Sequence, residues 1–336
     1  MESRLYKKLK ESEVICQTCN HYCRIKPGKR GICGVRGNTG GRLDFLAYDK
    51  VIAAGADPIE KKPIYHLRPG SRSFSIATPG CNFKCDFCQN SDIAQMPAEN
   101  NGRINGRPLT PRQIVDQAVR AGCDSISYTY TEPTVFFELA YDTACLAKQD
   151  GLLNIFVTNG FMSGRALEML TGILDAANVD LKSFDPGFYT KFCKAGLEPV
   201  KDNLKQMVQT GMLVEITTLL IPGLNDDPGQ VKAMAEFIAS DLGCHTPWHI
   251  SRFHPSYRMT GRGVTPVASL ESAYDAGKNA GLHHVYIGNL PGHDSENTHC
   301  HSCGALVIQR RGYRTQSLLD PGGICTECGM KIHGMF

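Results

Sequence analysis

Three closely spaced cysteines have the clearest chemistry in this sequence. Cys81, Cys85 and Cys88 lie in the stretch CNFKCDFC, separated by three and two residues, directly after a strand-like segment. A closed zinc site has four protein ligands and a closed iron–sulfur site has four thiolates, so three thiolates leave one iron of a cubane open. S-adenosylmethionine can bind such an iron through its amino nitrogen and carboxylate oxygen, and one electron then breaks a carbon–sulfur bond. A zinc knuckle or three unligated core cysteines is the alternative interpretation.

Two further groups of four cysteines indicate additional metal sites. At the N-terminus the cysteines are spaced x2, x3 and x9, and four thiolates there can bind either zinc or an auxiliary iron–sulfur cluster. At the C-terminus two CxxC pairs, each followed by glycine, are separated by 21 residues. This pattern predicts a structural zinc ribbon, with a rubredoxin-type iron as the alternative. The two groups are Cys16, Cys19, Cys23 and Cys33, and Cys300, Cys303, Cys325 and Cys328.

The composition favours metal binding over disulfides. The chain has 15 cysteines, an odd number, and its charged beginning lacks the apolar segment of a signal peptide, so we expect a reducing, cytoplasmic compartment. No apolar stretch approaches the roughly 18 residues of a membrane span. With 36 basic and 33 acidic residues, the charge is too balanced to indicate nucleic-acid binding. The single cysteines are expected to be inert buried thiols: Cys123, Cys145, Cys193 and Cys244.

Composition divides the chain into three segments, residues 1–70, 71–290 and 291–336. The middle segment alternates β-rich runs with amphipathic stretches, which makes six strand–helix units. Such alternation predicts a parallel sheet, either open and doubly wound or an incomplete α/β barrel. The predicted strands are RSFSIATPG, SISYTYTE, LLNIFVTNG, NVDLKSF, LVEITTLLIPG and PWHISRFHP. The predicted helices are PRQIVDQAVRAG, TVFFELAYDTACLAKQD, GRALEMLTGILDAA, KDNLKQMVQTG and GQVKAMAEFIASDLG.

Polar side chains follow several of the predicted strands. In both α/β architectures the functional groups lie at the C-terminal ends of the strands, so we expect Glu132, Asn159, Asp180, Lys182 and His254 near the cysteine motif and its cofactor. Asp180 and Lys182 point to one side of their strand because side chains alternate. Structural roles are the alternatives: an N-cap for Glu132, a turn for Asn159, an Asp–Lys ion pair, and a structural histidine.

The cysteine motif resembles the CxxxCxΦC signature of the radical S-adenosylmethionine superfamily, in which Φ is an aromatic residue and here is Phe87. The resemblance implies that superfamily's partial (β/α)6 barrel of parallel strands, here with small cysteine-rich segments at both ends. Within the superfamily the chain looks like the AmmeMemoRadiSam-system enzymes, a branch related to the activases of pyruvate formate-lyase. The supporting stretches are CQTCNHYCRIKPGKRGICGVR, KKPIYHLRPG, YTYTEPT, VTNGF, DLKSFD, IPGLND and the terminal CxxC pairs.

The resemblance also implies roles for the site residues. The three motif cysteines would bind a [4Fe–4S] cluster, and Glu132 stands where a GGE-type segment receives the methionine amino group, although Thr-Tyr-Thr replaces the glycines here. Lys182 matches a lysine that contacts the cofactor carboxylate in the activases, and His254 matches their late histidine. Phe87 can pack against the adenine, and Asn159 is a candidate for contact with the ribose or methionine.

We expect a radical enzyme that cleaves S-adenosylmethionine reductively to a 5′-deoxyadenosyl radical and acts on an unidentified small-molecule or macromolecular substrate. A reductant such as flavodoxin or ferredoxin is implied, and the family name implies a Memo-type partner protein. One alternative is a glycyl-radical-enzyme activase that abstracts hydrogen from a partner protein, although Gln89 stands where many activases have histidine. The other alternative is a non-catalytic zinc-binding scaffold.

Overall fold

The computed structural model describes residues 1–290 and 292–336, and Pro291, where the predicted C-terminal segment begins, lies outside them. Within the described residues no helix is both long and apolar enough to cross a membrane.

The strands are β1 Tyr6–Lys8, β2 Val14–Cys16, β3 Arg24–Ile25, β4 Arg36–Thr39, β5 Arg42–Phe45, β6 Ala53–Pro58, β7 Arg72–Ala77, β8 Ser125–Tyr128, β9 Leu153–Thr158, β10 Ala176–Asp180, β11 Leu213–Leu220, β12 Trp248–Arg252, β13 Val285–Gly288, β14 Thr298–His299, β15 Leu306–Arg311 and β16 Arg314–Ser317.

Helices and short helical turns connect these strands. The α-helices are α1 Ser91–Ala94, α2 Met96–Glu99, α3 Pro111–Arg120, α4 Phe137–Gln149, α5 Gly164–Leu170, α6 Pro186–Phe188, α7 Glu198–Gln209, α8 Pro228–Phe237 and α9 Val267–Asn279. The 3-10 turns are Lys10–Ser12, Ile59–Lys61, Pro133–Phe136 and Asp294–Glu296, and the π-helical turns are Tyr189–Cys193 and Ile238–Leu242.

An eight-stranded sheet forms the centre of the molecule. Its strands lie in the order β13-β12-β11-β10-β9-β8-β7-β6, and every neighbouring pair is parallel except β6 with β7. The six predicted strands, β7 to β12, are confirmed. In the described sheet β6 and β13 form the two free edges, so the architecture is the open, partial α/β barrel that the sequence predicted.

The central strands are buried because helices cover the sheet. Every residue of β8 is buried, and so is every residue of β7 after Arg72. Parallel sheets typically have such continuous burial. Ile76 pairs with Tyr128, which pairs in turn with Phe156. The C-terminal ends of β7, β8 and β9 therefore lie side by side, and the loops after them form one edge of the molecule.

Helix α3 shows how the sequence starts the connecting helices. The hydroxyl of Thr110 accepts from the Gln113 N–H, and the Gln113 side chain accepts from the Thr110 N–H, while Pro111 occupies the first turn. Asp227 caps α8 in a similar way, so both predicted helix starts are confirmed. The apolar face of α3 is buried, with Ile114 fully inaccessible, and burial of such a side chain contributes about 1.5–3 kcal/mol.

Among the differences from the predicted elements, two concern the central sheet. The predicted helix GRALEMLTGILDAA is shorter than expected, because α5 ends at Leu170 and Gly172 adopts a φ of +75°. Ala176 and Ala177 belong instead to β10, where they pair with β9 and β11. Alanine favours helices locally, so only the remote sheet partners decide this segment. The edge strands β6 and β13 were not predicted, and β6 is rich in alanine and glycine.

The N-terminal strands lie over the edge where the parallel strands end. β1, β2 and β3 form an antiparallel sheet, and β4 pairs with β5. Cys19 forms a β-bridge with Met162, and the Asn20 N–H donates to the Phe161 carbonyl at 3.0 Å, both just beyond β9. The N-terminal cysteines are therefore close to the loop that holds the central motif.

The C-terminal strands β14–β16 pack near the opposite edge, where the parallel strands begin. Arg310 of β15 donates to the Tyr65 carbonyl at 2.8 Å, and its guanidinium lies 4.0 Å from the Tyr65 ring centroid. His66 Nδ1 donates to the His333 carbonyl, and the Tyr286 hydroxyl donates to His66 Nε2, each at 2.7 Å. These contacts hold the C-terminal cysteines away from the central motif.

Candidate active site

The central cysteine motif forms the loop after β7, held between two other segments. Gly80 precedes the motif with a φ of +105°, and a Cβ there would lie 2.8 Å from Val35 of the N-terminal segment. Only glycine fits this conformation and this close approach. On the other side, the Lys84 N–H donates to the Cys193 carbonyl at 2.9 Å. The loop is thus positioned by contacts from remote parts of the chain.

The three motif thiols are buried or partly exposed at the end of β7. Burial raises the pKa of Cys81, and it raises that of Cys88 to about 11. A hydrogen bond with the Cys193 thiol, together with burial, raises the pKa of Cys85. Thiols must lose their protons to bind metal. At least one pair of the three sulfurs is more than 4.8 Å apart, so the thiols are not gathered around a single ion.

Glu132, in the loop after β8, is a buried carboxylate that is only 1 % exposed. Its Oε1 accepts from the Thr134 N–H (3.0 Å), the Thr134 hydroxyl (2.6 Å) and the Thr158 hydroxyl (2.7 Å), and its Oε2 accepts from the Asn159 N–H (2.8 Å). Burial raises the pKa of Glu132, and these hydrogen bonds oppose the change. No ion pair to Glu132 is present among the described residues, and Oε2, with one described donor, can accept a further hydrogen bond. The carboxylate also caps the turn Pro133–Phe136, as the structural interpretation expected.

Asn159 links this carboxylate to the cysteine motif. Its Nδ2 donates to Oδ1 of Asn82 at 2.8 Å, and Asn82 directly follows Cys81. Its own Oδ1 accepts from the Phe161 N–H at 3.0 Å, which makes the expected turn after β9. Cys81, Asn82, Asn159 and Glu132 therefore form one connected set across the ends of three strands.

Asp180 and Lys182 lie on the other side of the motif. Lys182 Nζ is 3.0 Å from Asp180 Oδ2, so the expected ion pair is present. The same ammonium is 5.8 Å from the ring centroid of Phe87, which lies between the last two motif cysteines. The Lys182 N–H donates to the Tyr189 hydroxyl and its carbonyl accepts from Asn225 Nδ2, which hold the strand end in place. A cation and an aromatic ring therefore adjoin the motif.

His254 is less closely tied to this set than the other predicted residues. It follows β12 and is exposed. In the described structure no hydrogen bond joins it to the motif or to Glu132, Asn159 or Lys182. Its contact with a cofactor stays a prediction that rests on its position at the strand end.

Sequence reasoning missed three residues that the structure brings to this site. Asn82 accepts from Asn159, which bonds Glu132, and the Thr158 hydroxyl donates to Glu132 directly. Cys193, expected to be an inert thiol, is buried beside Cys85. The positions of Asn82 beside a motif cysteine and of Thr158 at a strand end were usable signals. Cys193 lies in a helical turn far along the chain, so its sequence neighbours do not indicate this contact.

The four N-terminal cysteines, which we call the N-terminal tetrad, line a single cavity. The cavity wall also includes Thr18, His21, Arg36, Asn82 and Thr134. Two of these, Asn82 and Thr134, also belong to the hydrogen-bonded set around Glu132. The tetrad is therefore next to the candidate active site in space, although its last cysteine, Cys33, is far from Cys81 in the sequence.

The four C-terminal cysteines form a compact group. Their ligand atoms all lie within 4.8 Å of one another, and two sulfur pairs, Cys300–Cys328 and Cys303–Cys325, are 3.6 and 3.8 Å apart. Zinc–sulfur bonds of about 2.3 Å imply tetrahedron edges of about 3.8 Å. Burial raises the pKa of Cys300, but the backbone N–H groups of Cys303 and Ser302 outweigh this effect and lower it to about 7. The donor set suits one tetrahedral ion.

Comparison with known proteins agrees with this geometry. Residues 75–238 match the family described as the Radical SAM superfamily. An uncharacterized protein of Methanocaldococcus jannaschii is 43% identical over 333 residues, 98% of each chain. The benzylsuccinate synthase activating enzyme of Thauera aromatica is 27% identical over 167 residues, 46% of each chain. The pyruvate formate-lyase-activating enzyme of Clostridium pasteurianum is 24% identical over 176 residues, 51% of this chain and 70% of the relative.

Two solved structures have a related arrangement of strands and helices. A domain of pyruvate-formate lyase-activating enzyme from Bacteroides vulgatus has a TM-score of 0.44 and 20% identity, covering 49% of this chain and 99% of the domain. Streptococcus suis SuiB bound to S-adenosylmethionine has a TM-score of 0.48 and 15% identity, covering 63% of this chain and 46% of SuiB.

The chain belongs to the radical SAM superfamily. Membership of that superfamily implies a [4Fe–4S] cluster, S-adenosylmethionine and a source of electrons. The named activating enzymes match about half of this chain. The uncharacterized relative from Methanocaldococcus jannaschii matches nearly all of it, so the match includes the segments that contain the N-terminal and C-terminal cysteine groups.

Proposed function

We propose that the protein is a radical S-adenosylmethionine enzyme in which Cys81, Cys85 and Cys88 hold a [4Fe–4S] cluster. Glu132 is the observation that carries the proposal. It is a buried carboxylate with no ion pair among the described residues, and Asn159 and its neighbour Asn82 connect it to the motif. A buried unpaired charge is costly, and the ammonium of the cofactor's methionine moiety would neutralise it. When bound, the cluster and S-adenosylmethionine supply a 5′-deoxyadenosyl radical.

The residues around the motif would each hold a different part of the cofactor. Glu132 would accept from the methionine ammonium, and Lys182 would donate to the methionine carboxylate while Asp180 keeps it oriented. Phe87 would pack against the adenine. Asn159 would fix the Glu132 carboxylate and contact the methionine or ribose. His254 would also contact the cofactor, a role supported by its position at a strand end.

An open groove along the edge strand β6 is the proposed substrate site. Its volume is about 560 Å³, and its wall includes Asp57, Asn90, Arg107 and Tyr130. Asn90 follows the motif closely, and its Nδ2 donates to the Tyr130 carbonyl at 2.9 Å. The groove combines an unpaired strand edge with charged side chains, which suits a polar small molecule or a segment of a macromolecule.

A glycyl-radical-enzyme activase is the second candidate. The named activating enzymes of Thauera aromatica and Clostridium pasteurianum favour it, because they share sequence with about half of this chain. A free strand edge can also bind an extended segment of a partner protein. Gln89, where many activases have histidine, and the two terminal cysteine groups favour the first candidate.

The proposal extends to partners and to the organisation of the chain. A flavodoxin- or ferredoxin-type protein would supply the electron, and a Memo-type protein is a candidate partner on the basis of the sequence resemblance alone. The division into segments 1–70, 71–290 and 291–336 is supported by the packing of the two terminal parts near opposite edges of the sheet.

Formation of 5′-deoxyadenosine tests the proposed function. The protein, reconstituted anaerobically with iron and sulfide, is mixed with dithionite and S-adenosylmethionine, and the product is measured by chromatography. We expect product from the natural chain and from Cys145→Ala, a single cysteine outside the motif, but none from Cys88→Ala. Equal product from Cys88→Ala would show that the motif does not take part in the reaction. Protein that contains zinc and no iron at the motif would favour the non-catalytic zinc-binding scaffold.

A further inference from the structure

We propose that the N-terminal tetrad, Cys16, Cys19, Cys23 and Cys33, holds a second iron–sulfur cluster beside the proposed active site. The sequence alone left zinc and an auxiliary cluster nearly balanced, with a slight preference for zinc because the first cysteines form a tight knuckle. Three structural features distinguish them: the spacing of the thiols, the unpartnered donors around them, and their place next to the motif loop. The inference rests on the proposed function in one respect, namely that the neighbouring central motif holds the [4Fe–4S] cluster.

The spacing of the thiols is the first feature. All four cysteines line one cavity, yet within the described residues the tetrad contains no three ligand atoms that all lie within 4.8 Å of one another. The C-terminal cysteines, in the same structure, do meet that distance, and two of their sulfur pairs are 3.6 and 3.8 Å apart. A single ion draws all four sulfurs together, whereas in a cluster the thiolates bind different irons and lie farther apart. In both the tetrad and the central motif, the sulfurs do not all lie within 4.8 Å of one another.

Unpartnered donors are the second feature. Arg36 Nε and Asn82 Nδ2 are buried without a hydrogen-bond partner in the described structure, and both residues line the tetrad's cavity. Their side chains are 2 % and 1 % exposed. Buried donors without acceptors are costly, so a ligand that offers acceptors is expected there. Thiolates accept such hydrogen bonds at either centre, but a cluster adds its inorganic sulfides as further acceptors, whereas a zinc ion adds none.

The charge at the cavity agrees with an anionic group. Arg36 forms an ion pair with Glu138: Nη1 donates to Ser3 and to Glu138 Oε1, and Nη2 donates to the Val135 carbonyl and, at 2.7 Å, to Glu138 Oε2. These bonds leave Nε as its remaining donor. A four-thiolate centre has a net negative charge with either zinc or a cluster, so the Nε donor suits a metal centre here without distinguishing the two by charge.

The position of the tetrad is the third feature. A Cβ on Gly80, the residue before the motif, would lie 3.0 Å from the Cys33 carbonyl oxygen. The His21 ring Nε2 donates to the carbonyl of Asn82, the residue after Cys81, at 2.9 Å. Segments of the tetrad thus contact both sides of Cys81. Two clusters in this arrangement can exchange one electron, so that one is oxidised as the other is reduced.

Metal and sulfide content separates the two alternatives without reference to activity. The variant Cys81→Ala/Cys85→Ala/Cys88→Ala removes the central site, and we expect it to retain iron and acid-labile sulfide in equal amounts, with about one zinc per chain from the C-terminal cysteines. About two zinc per chain and no iron in this variant would overturn the inference. Iron content unchanged from the natural chain would instead contradict the proposed function, because the central motif would then hold none.

A second variant tests the tetrad directly. Cys19→Ser/Cys23→Ser alters its two more accessible cysteines, and Cys145→Ser is the matched control. We expect the tetrad variant, but not the control, to lose part of its iron and sulfide. We also expect electron paramagnetic resonance to show a magnetic interaction between two reduced clusters in the natural chain and none in the tetrad variant. Unchanged iron and an unchanged spectrum would overturn the inference. The triple-alanine result is independent of whether the tetrad variant folds.

Discussion

Three buried glutamates show what is unusual about the candidate site at the scale of single residues. Glu138 pairs with Arg36 at 2.7 Å, and Glu215 pairs with His249 at 2.6 Å. Glu132 is as deeply buried, but its described partners are neutral donors. A structural carboxylate in this chain is thus compensated by a basic side chain. Glu132 lacks such a partner, which is the pattern expected of a ligand for a cation.

We predict that Glu132→Gln weakens S-adenosylmethionine binding about 10- to 100-fold, because one charge-assisted hydrogen bond of about 1.5–3 kcal/mol is lost. The amide is nearly isosteric, so the fold should remain. Equilibrium binding to the reconstituted protein measures the effect. The matched control is Glu215→Gln, another buried glutamate near the opposite edge, which should lower stability and leave cofactor affinity unchanged. Equal affinity of the Glu132 variant and the natural chain would exclude the assigned contact.

At the scale of elements, the motif loop depends on the N-terminal segment that covers it. Gly80 allows this contact because its φ of +105° and the 2.8 Å approach of Val35 exclude a side chain. The strand β7 brings the loop to the sheet edge, but β4 and the chain before it decide how the loop is covered. The catalytic motif and the first 40 residues therefore act as one packed unit.

Gly80→Ala is predicted to destabilise the protein by about 2–4 kcal/mol, through an unfavourable φ and a steric clash. Gly122→Ala is the matched control, since Gly122 has a φ of +62° with open space around its Cβ position. The control should cost about 1 kcal/mol. Denaturant unfolding of both variants measures the difference. Similar losses in the two variants would show that the N-terminal segment does not press on the loop.

At the scale of the whole molecule, the two cysteine groups have different positions and different expected roles. The N-terminal tetrad adjoins the motif, whereas the C-terminal group is attached near the edge where the parallel strands begin. The C-terminal strands have only a small apolar cluster of their own. A closed metal site there would therefore stabilise the fold and leave the chemistry at the other edge intact.

We predict that Cys300→Ser lowers the melting temperature by several degrees, because one ligand of a four-thiolate site is lost. Formation of 5′-deoxyadenosine per folded chain should persist at low temperature. Thermal unfolding and product formation are measured on the same anaerobic sample. Unchanged melting together with complete loss of product would instead assign the C-terminal group to the reaction.

The buried contact between His66 and the C-terminal segment should make stability pH-dependent. Burial lowers the pKa of His66 from 6.5 to about 4, although the hydrogen bond from its ring to the His333 carbonyl opposes this change. The pKa of His66 is lower in the folded state than in the unfolded state. The contribution of neutral His66 to the free energy of unfolding is therefore complete above pH 6.5 and is lost as the pH falls toward 4. The total loss is about 3 kcal/mol.

Denaturant unfolding between these pH values measures the effect, with His66→Asn for comparison. Asparagine retains a donor but does not titrate, so stability of the variant should depend less steeply on pH. Equal slopes in the two proteins would show that protonation of His66 does not control this transition.

Much of the fold and part of the site were predictable because their signals are local. The spacing of Cys81, Cys85 and Cys88 is set by the geometry of one loop, and the strands β7 to β12 each have their own β-rich run and turn residues. The superfamily and the partial barrel follow from these signals and are confirmed. The roles of Phe87, Asn159, Asp180, Lys182 and His254 stay predictions.

Tertiary structure decided which remote residues meet at the site. The sequence itself determined the superfamily, the motif and most strands, because ligand spacing and strand periodicity are properties of short segments. It did not determine that Asn82 and Arg36 face the tetrad, that Thr158 supports Glu132, or that the two cysteine groups lie near opposite edges. Those relations depend on packing between segments far apart in the chain, and no local pattern specifies such packing.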